Sequence, residues 1–111
     1  MSVGALEPQF FAELLDKTGL SRSQFPDNRD RTQWPALRVA LTQAFAAKPR
    51  AAWCQVFEGS DACFAPVLSM REAPDHPHHR ARNTYVELHG LVQATPVPHF
   101  SRTPGAIAGP A

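Results

Sequence analysis

Apolar residues recur at helical spacing three times in the first half of the chain and at alternate positions once in the second. Phe10, Phe11, Leu14 and Leu15 form one stripe, which predicts a helix over residues 8–17. Pro8 suits its first turn, where a missing N–H costs nothing, and Gly19 suits the position past its end. Residues 21–31 are polar, with Pro26, Asp27 and Asn28 as turn chemistry, and read as a loop. Leu37, Leu41, Ala44 and Phe45, led by Trp34, repeat at intervals of three and four, so a second helix over 35–46 should turn them inward. A third fits 50–58, with Trp53, Val56 and Phe57 inward and Gly59 as its stop.

The apolar run 62–67 predicts a buried strand or extended segment whose pairing Pro66 limits. Ser69 and Glu72 have capping-box spacing and should open a short helix, broken by Pro74 and Pro77. Residues 84–88 alternate, His89-Gly90 turns, and 91–94 return, which is a hairpin pattern. The fold expected is a small α+β domain over residues 1–95: about three helices, then a short strand, short helices and a β-hairpin. Residues 96–111, with Pro96, Pro98, Pro104 and Pro110, should form an extended, partly disordered tail. One strand and one hairpin make a meagre sheet, so the domain expects more protein beside it.

Composition narrows the function classes. Eleven basic residues against ten acidic leave a net charge of +1, without the clustered basic face that nucleic acid requires. No apolar run is long enough to span a membrane, and the N-terminus lacks the pattern of a secretory signal, so the expected location is the cytoplasm. Cys54 and Cys63 have no further partners and read as core-filling thiols in a reducing compartment. Neither stands beside the base a nucleophilic thiol needs. Trp34 and Trp53 read as core anchors.

Two features could carry chemistry. His76, His78 and His79 invite a metal, but neighbouring histidines point different ways and no second half-site follows at ligand spacing, so the expectation is a polar turn without metal. Glu7 stands at the start of the first helix, where the macrodipole favours a carboxylate. Capping explains it, and so does a catalytic role; spacing does not decide between them.

Two stretches resemble family III CoA-transferases, and among them the α-methylacyl-CoA racemase branch. One is Gly4-Ala5-Leu6-Glu7-Pro8-Gln9-Phe10. The other runs from Asp61-Ala62 and Ala65-Pro66-Val67, through Glu72-Ala73-Pro74 and His76-Pro77-His78, to Phe100-Ser101-Arg102-Thr103-Pro104. Asn28-Arg29-Asp30-Arg31 and Trp34-Pro35 are similar too, so the resemblance covers nearly the whole chain.

The resemblance implies inversion of the 2-methyl centre of acyl-CoA thioesters by proton removal and return, with no cofactor beyond the CoA of the substrate. It implies that the acid/base histidine and aspartate belong to a Rossmann-like large domain that these residues lack. Glu7 then corresponds to a supporting glutamate that hydrogen-bonds that histidine. The expectation is therefore a C-terminal portion, inactive alone. Its partners would be acyl-CoA through the large domain, a large-domain subunit encoded elsewhere, and further copies of itself in a homo-oligomer. A CoA-transferase segment, or a non-catalytic interaction module of the same ancestry, remains as the alternative.

Overall fold

The computed structural model describes residues 1–109 of the 111. The chain divides into two compact units, Met1–Val67 and Leu68–Ala111. Among the described residues the elements are four α-helices and two small antiparallel sheets, an α+β fold as expected. No helix among the described residues is long and apolar enough to cross a membrane.

The first unit opens with a strand that periodicity did not reveal, β1 (Ser2–Val3). It pairs antiparallel with β2 (Phe64–Ala65), Ser2 opposite Ala65 and Val3 opposite Phe64. The ladder stops one residue before Pro66, which has no N–H to extend it. Between the strands lie α1 (Pro8–Thr18), α2 (Trp34–Ala46) and α3 (Arg50–Phe57). Gly19 ends α1 in the left-handed conformation at φ +74°, and its N–H returns to the carbonyls of the last turn.

The core is Phe11, Leu14 and Leu15 of α1 with Ala5, Phe25, Trp53, Phe57 and Ala62. A fully buried Leu or Phe side chain contributes about 1.5–3 kcal/mol. Phe45, Trp53, Phe57 and Phe64 interlock as an aromatic cluster. Phe57 stacks on Phe64 at 4.3 Å between centroids, and Trp53 meets Phe45 edge-on at 5.2 Å. The buried indole N–H of Trp53 donates to the Phe45 carbonyl at 3.1 Å, which removes the penalty of an unpaired polar atom.

Three sequence expectations fail in this unit. Trp34 is no core anchor: it is 49% exposed, because the start of α2 faces an open groove. No residue of α2 is fully buried; Leu37, Ala40, Leu41 and Phe45 only lean on the core. Cys63 is exposed at φ +49°, because the turn into β2 points its side chain outward, whereas Cys54 is half-buried and both thiols are free.

The second unit is built from local signals. Ser69 and Glu72 form the capping box: the Ser69 N–H donates to the Glu72 carboxylate at 2.9 Å and the Glu72 N–H to Ser69 Oγ at 3.3 Å. A 3-10 turn (Ala73–Asp75) and α4 (Pro77–Ala81) follow, each with a proline in its first turn. Strands β3 (Tyr85–Leu88) and β4 (Leu91–Ala94) pair in register, Leu88 opposite Leu91. Their two-residue turn has His89 at φ +54° and Gly90 at φ +79°, the twist that matches a hairpin.

The tail is not simply extended. Residues 96–107 fold back far enough that a Cβ on Gly105 would lie 2.6 Å from Pro96 Cβ. Pro110 and Ala111, included in the expected tail, lie outside the described residues.

Candidate functional site

The segment Gly4-Ala5-Leu6 carries β1 into α1 and is pinned from two sides. The Gly4 N–H donates to the Cys63 carbonyl at 3.0 Å. The Asn28 side-chain amide donates to the carbonyls of Ala5 and Leu6 at 3.3 and 2.8 Å. Asn28 is placed in turn by the loop before α2. Asp27 accepts the Arg29 N–H at 2.9 Å, and the indole of Trp34 donates to the Asn28 carbonyl at 2.9 Å. Arg31 stacks over that indole at 5.4 Å.

Next door, Asp30 accepts the Thr32 hydroxyl at 2.6 Å and the Thr32 N–H at 2.9 Å. The hydroxyl above all, then the N–H, holds the Asp30 carboxyl below the usual carboxylate range.

Glu7 leaves this ledge as the N-cap residue of α1, extended at φ −77° and ψ 144°. Its carbonyl accepts the first helical N–H, from Phe11, at 2.9 Å. Its carboxylate makes no capping hydrogen bond and is exposed. Among the described residues it joins no ion pair either. Helix capping, which explained Glu7 from sequence alone, is therefore not what the side chain does. The carboxylate stays in the favourable field of the helix start with its acceptor sites open.

An open groove of about 650 Å³ is lined by Val3 through Leu6, by Phe11 and Leu14 of α1, and by Trp34, Leu37 and Leu41 on the side of α2 that leans on the core. Glu7 does not line it. Asn28, the residue that pins this ledge, was readable in sequence only as turn chemistry. A lone polar side chain that bonds two carbonyls more than twenty residues away leaves no periodic trace.

The histidines lie in the second unit. His76 Nδ1 accepts the His78 N–H at 3.3 Å, so His76 caps α4. His79 meets Tyr85 edge-on at 5.5 Å and His78 at 5.6 Å. Among the described residues no three His, Cys, Asp or Glu side chains gather as metal ligands do.

Residues 1–111 match the sequence profile of CoA-transferase family III, and the chain belongs to that family. Alpha-methylacyl-CoA racemase of Mus musculus is 42% identical over 105 residues, which cover 94% of this chain and 28% of the mouse protein. The human protein of that name is 36% identical over the same shares. A CaiB/baiF CoA-transferase family protein of Caenorhabditis elegans is 29% identical over 88% of this chain and 27% of its own length. The chain thus spans little more than a quarter of the relatives it matches.

Proposed function

We propose that this chain is the small-domain portion of an α-methylacyl-CoA racemase, and that Glu7 completes a catalytic site whose histidine and aspartate belong to the family's large domain. The observation that carries this reading is the unengaged carboxylate of Glu7 on a ledge pinned by Asn28 and Cys63. The 42% identity to the mouse racemase supports the choice of reaction.

Racemisation α to a thioester removes a proton from one face of C2, delocalises charge onto the carbonyl oxygen and returns a proton to the other face. The acid and base each need a pKa near the working pH. Glu7 would accept the second N–H of the catalytic imidazole. That hydrogen bond fixes the tautomer, orients the ring and stabilises the imidazolium while it holds the substrate's proton. Glu7 is thus a positioning residue, and Asn28 positions Glu7.

The reaction requires no metal or organic cofactor beyond the CoA of the substrate. By this reading, turnover of a thioester requires the large domain beside these residues. The free thiols suit a reducing compartment such as the cytoplasm.

The test mixes the purified chain with a separately expressed large domain and follows deuterium entry at C2 of a 2-methylacyl-CoA. Exchange should appear only in the mixture. Glu7→Gln should lower its rate about 10–100-fold and shift the pH profile of kcat, because the imidazole loses an anionic partner. Exchange by the chain alone, or a Glu7→Gln mixture as fast as wild type, refutes the proposal.

A further inference from the structure

The groove beside α2 has a chemistry that Glu7 does not use. Its apolar wall comes from Val3, Leu6, Trp34, Leu37 and Leu41. Leu6 is 74% exposed and Trp34 49%, so water covers apolar surface that would be stabilised by any hydrocarbon laid against it. Isolated exposed apolar residues need no explanation, but several lining one concavity mark a site. At about 650 Å³ the groove is in the size range of small-molecule sites.

Its charges are all of one sign. Arg31 and Arg38 line it, and no Asp or Glu does. Neither guanidinium joins an ion pair among the described residues. Arg31 is held in place by its stack on Trp34, and Trp34 by its hydrogen bond to Asn28, so this end of the groove is organised before anything enters it.

An apolar wall carrying two unneutralised guanidinium groups calls for a ligand that joins a hydrocarbon chain to an anionic group. From this charge complementarity we infer that the groove binds single-chain anionic amphiphiles. The alkyl chain lies along Leu6, Trp34, Leu37 and Leu41, and a carboxylate or phosphate head sits against Arg31 and Arg38. A guanidinium meets either head with paired N–H donors, so carboxylates and alkyl phosphates form one ligand class here.

The binding needs neither the large domain nor a thioester. It shares Leu6 and Asn28 with the racemase reading, but it is measured on this chain alone, so the failure of one is distinguishable from the failure of the other.

Trp34 supplies the signal, since Trp53 is buried at 2% exposure. The full chain is titrated with dodecanoate and with dodecyl phosphate below their critical micelle concentrations, while tryptophan emission is followed. A saturable change is expected, and it should vanish in Trp34→Phe. Affinity should rise about fourfold for each added methylene that the groove buries. Dodecanol should bind at least fivefold more weakly than dodecanoate.

Arg38→Gln should weaken both anions about fivefold and leave dodecanol unchanged. Leu6→Asn, at an exposed position, removes apolar wall without adding charge and should weaken the anions and the alcohol alike. A preference for dodecanoate over dodecyl phosphate, or the reverse, identifies the head group within the class.

Any of four results overturns the inference. They are no saturable change, dodecanol binding as tightly as dodecanoate, and association with anionic phosphatidylglycerol vesicles but not with monomeric amphiphile. The fourth is a sedimentation profile in which the Trp34 signal follows dissociation of a dimer, which assigns the groove to a second copy of the chain.

Discussion

The two units are built on opposite principles. Among the described residues every buried one lies in Met1–Val67, and none from Leu68 onward reaches that degree of burial. The first unit holds itself together by excluding water from an aromatic and aliphatic core. The second holds its shape through a capping box, proline-led turns and a two-stranded ladder. Hydrogen bonds of that kind each contribute only about 0.5–1.5 kcal/mol net, because water competes for them. A hairpin without a core is marginal in water. Local chemistry can thus specify a conformation that it does little to stabilise.

The largest expected effect tests that contrast directly. Trp53→Ala removes the indole that joins Phe45 to Phe57 and leaves the Phe45 carbonyl without its donor. A loss of about 3–5 kcal/mol follows. For a small domain this is comparable with its whole stability. Amide protection in α1 and α3 should collapse in hydrogen exchange. The β3 and β4 amides should exchange fast in wild type and variant alike. Slow exchange in the wild-type hairpin breaks the comparison, since it means the second unit is stabilised as strongly as the first.

What the sequence disclosed follows the same division. In the second unit the signals lie within a few residues, so Ser69 with Glu72 and the turn at His89-Gly90 could be read directly. In the first unit helical periodicity located three helices, because their stripes face one core. It could not locate β1, whose two residues become a strand only by meeting Phe64 and Ala65. It missed Phe25, a buried residue in a polar loop without periodic context. It also misjudged Trp34, because spacing tells which residues share a face and not whether anything covers that face. Its place at a helix start singles out Glu7 and the resemblance assigns it a role, whereas its open carboxylate emerges only from the geometry.

The next effect sharpens the contrast from the other side. Gly90 at φ +79° adopts a conformation that a Cβ disfavours by roughly 1–2 kcal/mol. Gly90→Ala should abolish the cross-strand nuclear Overhauser contacts between Glu87 and Val92 and between Val86 and Gln93. The thermal midpoint read from tryptophan, whose two residues both lie in the first unit, should stay within error. An equal penalty placed in a cored unit would lower a midpoint; placed in a hairpin without a core, it removes the element.

Asn28→Ala comes third. It takes donors from the carbonyls of Ala5 and Leu6, at a cost of about 1 kcal/mol where water replaces one of them. The melting temperature should fall by a few degrees. In the reconstituted enzyme the rate should fall by more than that loss of stability accounts for, because the ledge under Glu7 loosens. Loss of stability with an unchanged rate separates Asn28 from the site.

The smallest effect concerns charge in the first unit. Asp16 accepts two hydrogen bonds from the Arg22 guanidinium, one of them from Nε at 2.8 Å. That hydrogen bonding, ahead of the charge–charge attraction, lowers the Asp16 carboxyl below its ordinary value of 3.8. A carboxyl with a depressed folded-state pKa contributes stability that is fully present above its unfolded value. That stability is lost as pH falls through the folded value. The melting temperature of the first unit should therefore be flat with respect to this pair near neutrality and decline below about pH 4. Asp30, whose carboxyl is lowered by Thr32, adds to the same decline. Asp16→Asn should flatten part of the acid slope while hardly moving the midpoint at pH 7, since both side chains of the pair are more than half exposed. High salt should shrink the difference between variant and wild type by the charge–charge part alone. A large loss at pH 7 would mean that the unit depends on its surface charges as well as its core, and the contrast drawn between the two units would be too simple.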